Sequence, residues 1–414
     1  MTRIKRNKIL LSAYACEPDK GSEPEVGWQW ALHLAEHCDV TVLTRSNNKK
    51  VIEAKLKAAS LPTLKFIYID LSIVALKCKK WLKPQSAIVG WYYAQWQKMA
   101  YLKIQQLEKE NHYDIIHHLT FASFRLPLAV TNHNALSIVG PVGGCEEFPE
   151  ELLPERGWRV HTKEIFRNLV TRLSTGLGLG MSKYRQANQV IASTNEMKQV
   201  FADHEIKSLV MPQIGITGDF LGHRSRQVTG GKDLKLLFVG GVLCWKGLEL
   251  AIQALAMLPQ RVSLTIIGSG PDESILRNEI KRLSLTNRVY FLGRVPHAEV
   301  LTLYQNYDLF MYPSLHDSGS FTVLEAMTSG LPVICLERGG PALSVNNHCG
   351  RVVKPASRAE TINSLRLAVS HYVEDPKRID AHGNNARQRM LDLYDWRKKA
   401  QVMAEIYDNV IERD

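Results

Sequence analysis

The chain has 414 residues, 45% of them hydrophobic and 22% charged, a balance that excludes an intrinsically disordered protein and suits two domains of ordinary size. The formal net charge of +11 points either to a generically basic surface or to anionic partners such as nucleic acid, an acidic membrane or phosphorylated small molecules. Seven scattered cysteines without a Cys-x-x-Cys pair exclude a disulfide framework and a cysteine zinc site, and a reducing cytoplasm is the expected home.

The opening "MTRIKRNKILLSAYAC" imitates a secretion signal, with basic residues ahead of an apolar run. That run, Ile9 to Ala15, is short and leads straight into "EPDKGSEPEVGWQW", so it reads as a first buried strand. "KILLSAY", the helical pattern "VGWQWALHLAEH" and "DVTVLTR" make a βαβ unit with a Gly-bearing first loop. Apolar runs "LKFIYID", "DIIHHL", "LSIVGPV" and "QVIAST" continue the rhythm to about residue 210. The basic, aromatic stretch at 77–105 reads either as a helix packed on the sheet or as a segment docking on anionic lipid. "GLGLG" at 176–180 has no strand before it and reads as a loop or helix break. No run of 18 uncharged apolar residues occurs, so no membrane span is expected.

"MPQIGITGDFLGHRSRQVTGGKD" then breaks the periodicity as a linker. A second series of strands follows, "LKLLFVGG", "VSLTIIGSG", "RVYFLG", "LFMYPS" and "LPVICL", with helices between them. The expected organisation is a first domain at 1–212, a linker at 213–232, a second domain at 233–393 and a closing helix at 394–414. The fold class is α/β, with two doubly wound parallel sheets.

Ligands of such sheets sit beyond the C-terminal ends of the strands. "LFMYPSLHDSGSFTVLEAMTSG" reads as strand, loop and a helix from about residue 320. Gly319 and Ser320 permit close backbone approach, and the first amides of the helix, with its dipole, suit a diphosphate. Asp317 and Glu325 would accept hydrogen bonds from sugar hydroxyls on either side of it, as a nucleotide sugar supplies; equally, Asp317 could be a solvated N-cap and Glu325 half of a surface ion pair. Lys246 at the glycine loop "VGGVLCWKG" is a phosphate counter-charge. "IIGSGP", with Gly268 and Gly270, and "FLGRVP" end further strands in the same manner.

With these residues the second half resembles the nucleotide-sugar-binding domain of the retaining glycosyltransferases of family 4. Their GT-B architecture sets two Rossmann-like domains across a cleft, with a C-terminal helix returning to the first. The family's Glu, seven residues, Glu reads here as Asp317, seven residues, Glu325; its phosphate-binding lysine before a Gly matches Lys246 and Gly247. "EAMTSGLPVI" matches the stretch after the second acid, and "GSEPEVGWQWA", "HHLTFASFR" and "GPVGG" are the first-half counterparts. The resemblance implies donor contacts at Gly21, Gly240, Gly241, Gly268, Gly270, Arg294, Gly319, Ser320 and Phe321. It places Glu325 on the ribose, Asp317 on the transferred sugar, Lys246 on the diphosphate and His118 facing sugar and acceptor.

Two departures stand out. The family carries Arg where this chain has Gly241, a charge that Arg294 or Arg338 could supply, and Asp317 is one methylene shorter than the family's Glu. The implied reaction is retaining transfer of a hexose from a UDP- or GDP-linked donor to a glycan or lipid-linked glycan, in cell-surface polysaccharide synthesis. The implied location is cytoplasmic, with peripheral association with the anionic inner face of the plasma membrane. An epimerase, a phosphorylase or a non-catalytic nucleotide-binding protein of the same fold would use the same elements. No Asp-x-Asp triplet occurs and the histidines at 112–133 lack ligand spacing, so neither a metal nor a cofactor beyond the nucleotide sugar is expected. The first βαβ unit lacks the glycine spacing of a dehydrogenase, and no nucleic-acid-reading motif appears, so nucleic acid is not an expected partner.

Overall fold

The computed structural model describes residues 6–58, 61–71, 86–153, 158–217 and 233–414. The chain divides into two compact units, one of Met1–Cys145, Ser174–Gln213 and Trp396–Asp414, the other of Glu146–Leu173 and Ile214–Asp395.

In the first unit, β1 (Lys8–Ser12), β2 (Asp39–Arg45), β3 (Leu64–Ile69), β4 (Ile115–His118), β5 (Leu136–Val142), β6 (Gln189–Ala192) and β7 (Ser208–Val210) form a seven-stranded sheet. Its order is β3-β2-β1-β4-β5-β6-β7, every pair parallel. Ile9, Leu10 and Leu11 of β1 are all fully buried, which explains why the strand reads as a continuous apolar run without alternation. Helix α1 (Ser22–Leu34) starts at Gly21, whose φ of 68° places it in the left-handed region, and buries Trp28 and Trp30.

After α2 (Lys49–Ala58), helix α3 (Ser86–Glu110) turns Tyr92, Tyr93, Trp96, Ala100 and Ile104 into the core. The described part of the 77–105 stretch is therefore a sheet-packing helix that turns Tyr92, Tyr93 and Trp96 inward and leaves Trp91 53% exposed; residues 77–85 lie outside the described residues. The closing helix, Trp396–Ile411, belongs to the first unit, where Trp396 meets Trp30 edge-on at 5.4 Å. Lys399 on that helix lies 5.3 Å over the Trp30 ring and donates to the Pro212 carbonyl at 2.6 Å.

The second unit holds β8 (Leu234–Val239), β9 (Val262–Ile267), β10 (Val289–Gly293), β11 (Leu309–Tyr312), β12 (Val333–Leu336) and β13 (Gly350–Val353), in the order β10-β9-β8-β11-β12-β13 and again all parallel. The short edge strands β7 and β13 carry too little apolar sequence to be predicted.

The boundary expected at residue 212 needs one correction. Helix α4 (Trp158–Gly176) and the stretch before it lie within what looks like the first domain, yet Glu146–Leu173 belongs to the second unit. Side-chain bonds hold it there: Arg338 Nη2 donates to the Glu147 carbonyl at 2.6 Å and Arg358 Nη1 to the Leu152 carbonyl at 3.3 Å. Of the expected linker, residues 218–232 lie outside the described residues. "GLGLG" is a helix end and turn, closing with Gly180 (φ 84°) as N-cap of the short helix α5 (Met181–Arg185).

Candidate functional site

In the second sheet β8 is flanked by β9 on one side and β11 on the other, so the chain reverses its winding there; a doubly wound fold opens a crevice at that point. The segments leaving β8 and β11 meet there. After β8 a single turn, Cys244–Lys246, closes on Gly247, which caps the next helix, Leu248–Ala256. Gly247 has φ 67°, and a Cβ on it would lie 2.0 Å from the Pro313 carbonyl oxygen, so only glycine lets this turn press against the segment after β11.

That contact brings Lys246 to Asp317. Lys246 Nζ donates to Asp317 Oδ2 and to the Tyr312 hydroxyl, each at 2.7 Å. Asp317 Oδ2 also accepts from Ser314 Oγ at 2.6 Å and from the Tyr312 hydroxyl at 3.0 Å, while the Asp317 carbonyl accepts from Gly340 N at 2.8 Å. Burial works against the Lys246 charge, but Tyr312 and Asp317 beside it hold its pKa above the ordinary lysine value. Burial, reinforced by Asp317, pushes the Tyr312 phenol up to about 12. At neutral pH the site therefore holds a lysine cation and a neutral tyrosine.

Gly319 and Ser320 lead into α6 (Phe321–Thr328), where the Ser320 side chain makes no capping hydrogen bond and leaves the first amides to other acceptors. Glu325, in the second turn, is engaged on both oxygens: His297 Nε2 is 2.8 Å from Oε1, and the Tyr304 hydroxyl donates to Oε2 at 3.0 Å. The hydrogen bond to Glu325 raises the His297 pKa. This is the ion pair that the sequence leaves open, with an exposed histidine as partner.

The neighbouring predicted residues divide by role. Gly268 (φ 136°) is required by packing, since a Cβ there would lie 1.9 Å from the Gly240 carbonyl oxygen; Gly240, Gly241 and Gly270 belong to the same strand-end loops. Arg294, exposed, donates through Nε to Ser269 Oγ at 2.8 Å. Arg338 is committed to the Leu315 and Glu147 carbonyls at 3.0 and 2.6 Å, so it braces the loop before Asp317. Tyr312, Ser314, His297, Tyr304 and Arg167 are found by the structure alone. His316 stacks on Trp245 at 5.7 Å with Arg167 Nη1 2.6 Å from its Nε2, and burial and Arg167 lower its pKa to about 4.

Gly21 and His118 lie in the first unit. Glu23, just past the exposed Gly21, accepts from Phe121 N at 2.5 Å; it thereby ties the first turn of α1 to the segment after β4, where Phe121 has φ 55°. Burial raises the Glu23 pKa. The expectation that His118 faces a sugar is corrected: the side chain is 0% exposed, with Nε2 3.3 Å from the Tyr93 hydroxyl. Burial, aided by His117, lowers its pKa to about 3. The reason is that α3 lays its aromatic face over the end of β4. His117 bridges the Tyr407 hydroxyl and the Gly140 carbonyl at 2.7 Å each.

Among the described residues no group of three or more His, Cys, Asp or Glu side chains could hold a metal ion, and no helix is long and apolar enough to cross a membrane.

Comparison with known proteins bears on this site directly. Residues 222–389 match the model of the family described as glycosyl transferases group 1. A lipopolysaccharide core biosynthesis mannosyltransferase of Rhizobium leguminosarum is 30% identical over 181 residues, 42% of this chain and 50% of that protein. The chain spans about half the length of the curated relatives it matches. Two solved structures extend the likeness to nearly the whole chain. Sucrose-phosphate synthase from Thermosynechococcus elongatus matches at a TM-score of 0.68 and 17% identity, covering 99% of this chain and 100% of that one. Anabaena HepE in complex with UDP-glucose matches at 0.54 and 18%, covering 97% and 99%. The fold is GT-B, with two Rossmann-like units, and the described part of the matched stretch, residues 233–389, lies in the second unit.

Proposed function

We propose that the chain is a retaining, metal-independent hexosyltransferase that moves a sugar from a UDP- or GDP-linked donor to a glycan or lipid-linked glycan, in cell-surface polysaccharide synthesis on the cytoplasmic side of the membrane. The observation that carries this reading is the Lys246–Asp317 pair at the β8/β11 crevice, with Glu325 on the adjoining helix. The match of residues 222–389 to group 1 glycosyl transferases and the UDP-glucose bound to HepE support it.

Breaking the anomeric bond puts negative charge on the departing diphosphate, so positive potential fixed in advance lowers the barrier more than a strong base would. Lys246 and the amide end of α6 supply that potential. When the phosphates take the lysine ammonium, Asp317 Oδ2 is released to accept a hydroxyl of the transferred sugar, and Glu325 exchanges His297 for ribose hydroxyls. The acceptor oxygen bonds to the anomeric carbon on the face the diphosphate leaves, and its proton passes to the departing phosphate oxygen.

The test is incubation with a panel of UDP-, GDP- and ADP-sugars, with and without a chelator, reading nucleotide release and the anomeric configuration of product by NMR. Release of UDP or GDP with retention is expected at the same rate with chelator. An epimerised donor, or sugar phosphate formed only with inorganic phosphate, would replace this reading with an epimerase or a phosphorylase.

A further inference from the structure

Helix α4 is built inside out. Glu164, Asn168 and Thr171, spaced four and three residues apart along one face, are 3%, 1% and 2% exposed. Ile165, Phe166, Leu169 and Leu173, on the opposite face, are between 44% and 66% exposed. On the inward polar face Asn168 exchanges hydrogen bonds with the Phe148 backbone at 2.9 and 2.6 Å, Glu164 pairs with Arg167 of the same helix at 3.1 Å, and Thr171 Oγ1 donates within the helix to the Arg167 carbonyl at 2.9 Å. The helix is therefore firmly seated on its polar side while it presents a two-turn apolar ridge outward. An isolated exposed apolar side chain needs no account, but four on one helix face do.

We propose that this face of α4 enters the interfacial layer of an anionic lipid bilayer. Charge selects the occupant: the chain carries a net +11, which draws it to an acidic surface and repels a second copy of itself. Lys163 and Arg172, both exposed, flank the ridge and suit the headgroup level, although Arg172 also pairs with Glu147 and Glu150 at 2.8 and 2.9 Å. On α3, by contrast, Tyr92, Tyr93 and Trp96 are turned into the core, and Trp91 and Leu102 are its exposed large apolar side chains among the described residues.

The same helix is wired to the donor crevice. Arg167, between Phe166 and Asn168, reaches His316, the residue before Asp317. A bilayer on the outer face of α4 would hold a lipid-linked acceptor beside the diphosphate cradle. That last step deepens the proposed function and rests on it; lipid binding itself does not.

The experiment is co-sedimentation of the full chain, without donor, with vesicles of phosphatidylcholine alone and of phosphatidylcholine with about one third phosphatidylglycerol. Binding to the anionic vesicles is expected, at least about tenfold weaker on phosphatidylcholine alone and about tenfold weaker for the double variant F166S/L169S. Both side chains are exposed, so the variant should keep the wild-type melting temperature and its donor hydrolysis in solution. Failure of donor hydrolysis in both proteins, with vesicle binding intact, would count against the transferase reading alone. Equal binding by the variant, equal binding to both vesicle types, or dimerisation that the variant abolishes would overturn the assignment.

Discussion

Strand ends in the two units carry polar side chains in opposite states. At the end of β11 and after β8, Asp317 and Lys246 are charged, partly accessible and held by Tyr312 and Ser314. At the end of β4, His117 and His118 are sealed from solvent and neutral, with pKa values pushed to about 4 and about 3 mainly by burial. The topological position is similar; what differs is whether an aromatic helix covers it. A strand end becomes a site for an anion only where the neighbouring elements leave it open and pair its charge.

The largest effect expected from breaking this contrast is on catalysis. Lys246→Ala and Glu325→Ala should each lower kcat/KM for nucleotide release by a factor of about ten or more, at least ~1.4 kcal/mol. Wild-type rates in a folded double variant would refute the site.

Gly247→Ala tests the contact that brings the pair together. It must adopt a left-handed conformation and drive a Cβ into the Pro313 carbonyl, so a loss on the order of 2 kcal/mol or more is expected in urea unfolding. A substitution that leaves the urea midpoint unchanged would show the turn to be adaptable.

The first unit should reveal its histidines on acidification. Each binds a proton more readily unfolded than folded, because its folded pKa is depressed; stability is therefore intact above about 6.5 and falls as the pH drops towards the folded values of about 4 and about 3. The loss is on the order of 1 kcal/mol per pH unit for each histidine in that window. His118→Gln should flatten the urea midpoint between pH 6.5 and pH 4.5 relative to wild type, and identical slopes would contradict a buried neutral imidazole.

The smallest effect concerns His297. Its pKa is raised by Glu325, so the pair is complete below the ordinary histidine value and is lost as pH rises through the raised one. UDP affinity should then increase by about two- to threefold between pH 6 and pH 8 as Glu325 is released, a modest change because the histidine is largely exposed. His297→Gln should remove that pH dependence in a calorimetric titration, and an unaltered profile would place its origin elsewhere.

Asp317 is one methylene shorter than the Glu of the family that the sequence resembles. Its shorter side chain does not leave it adrift, because three hydroxyl and ammonium donors converge on one oxygen. Tyr312 and Ser314, which a pairwise motif does not include, hold the shortened acid in place.

Much of this protein is determined by the sequence alone. Continuous apolar strands bounded by glycine loops specify two doubly wound sheets, because a strand buried on both faces cannot alternate. The same grammar places Lys246, Asp317 and Glu325 at strand ends and a helix start, where backbone amides and dipole favour an anion. Tertiary structure alone decided the rest. It buried His118 under α3, gave Glu146–Leu173 to the second unit, and turned the apolar face of α4 outward. The physical reason is common to all three: period and spacing fix which residues share a face, but only packing against distant segments decides which face meets solvent.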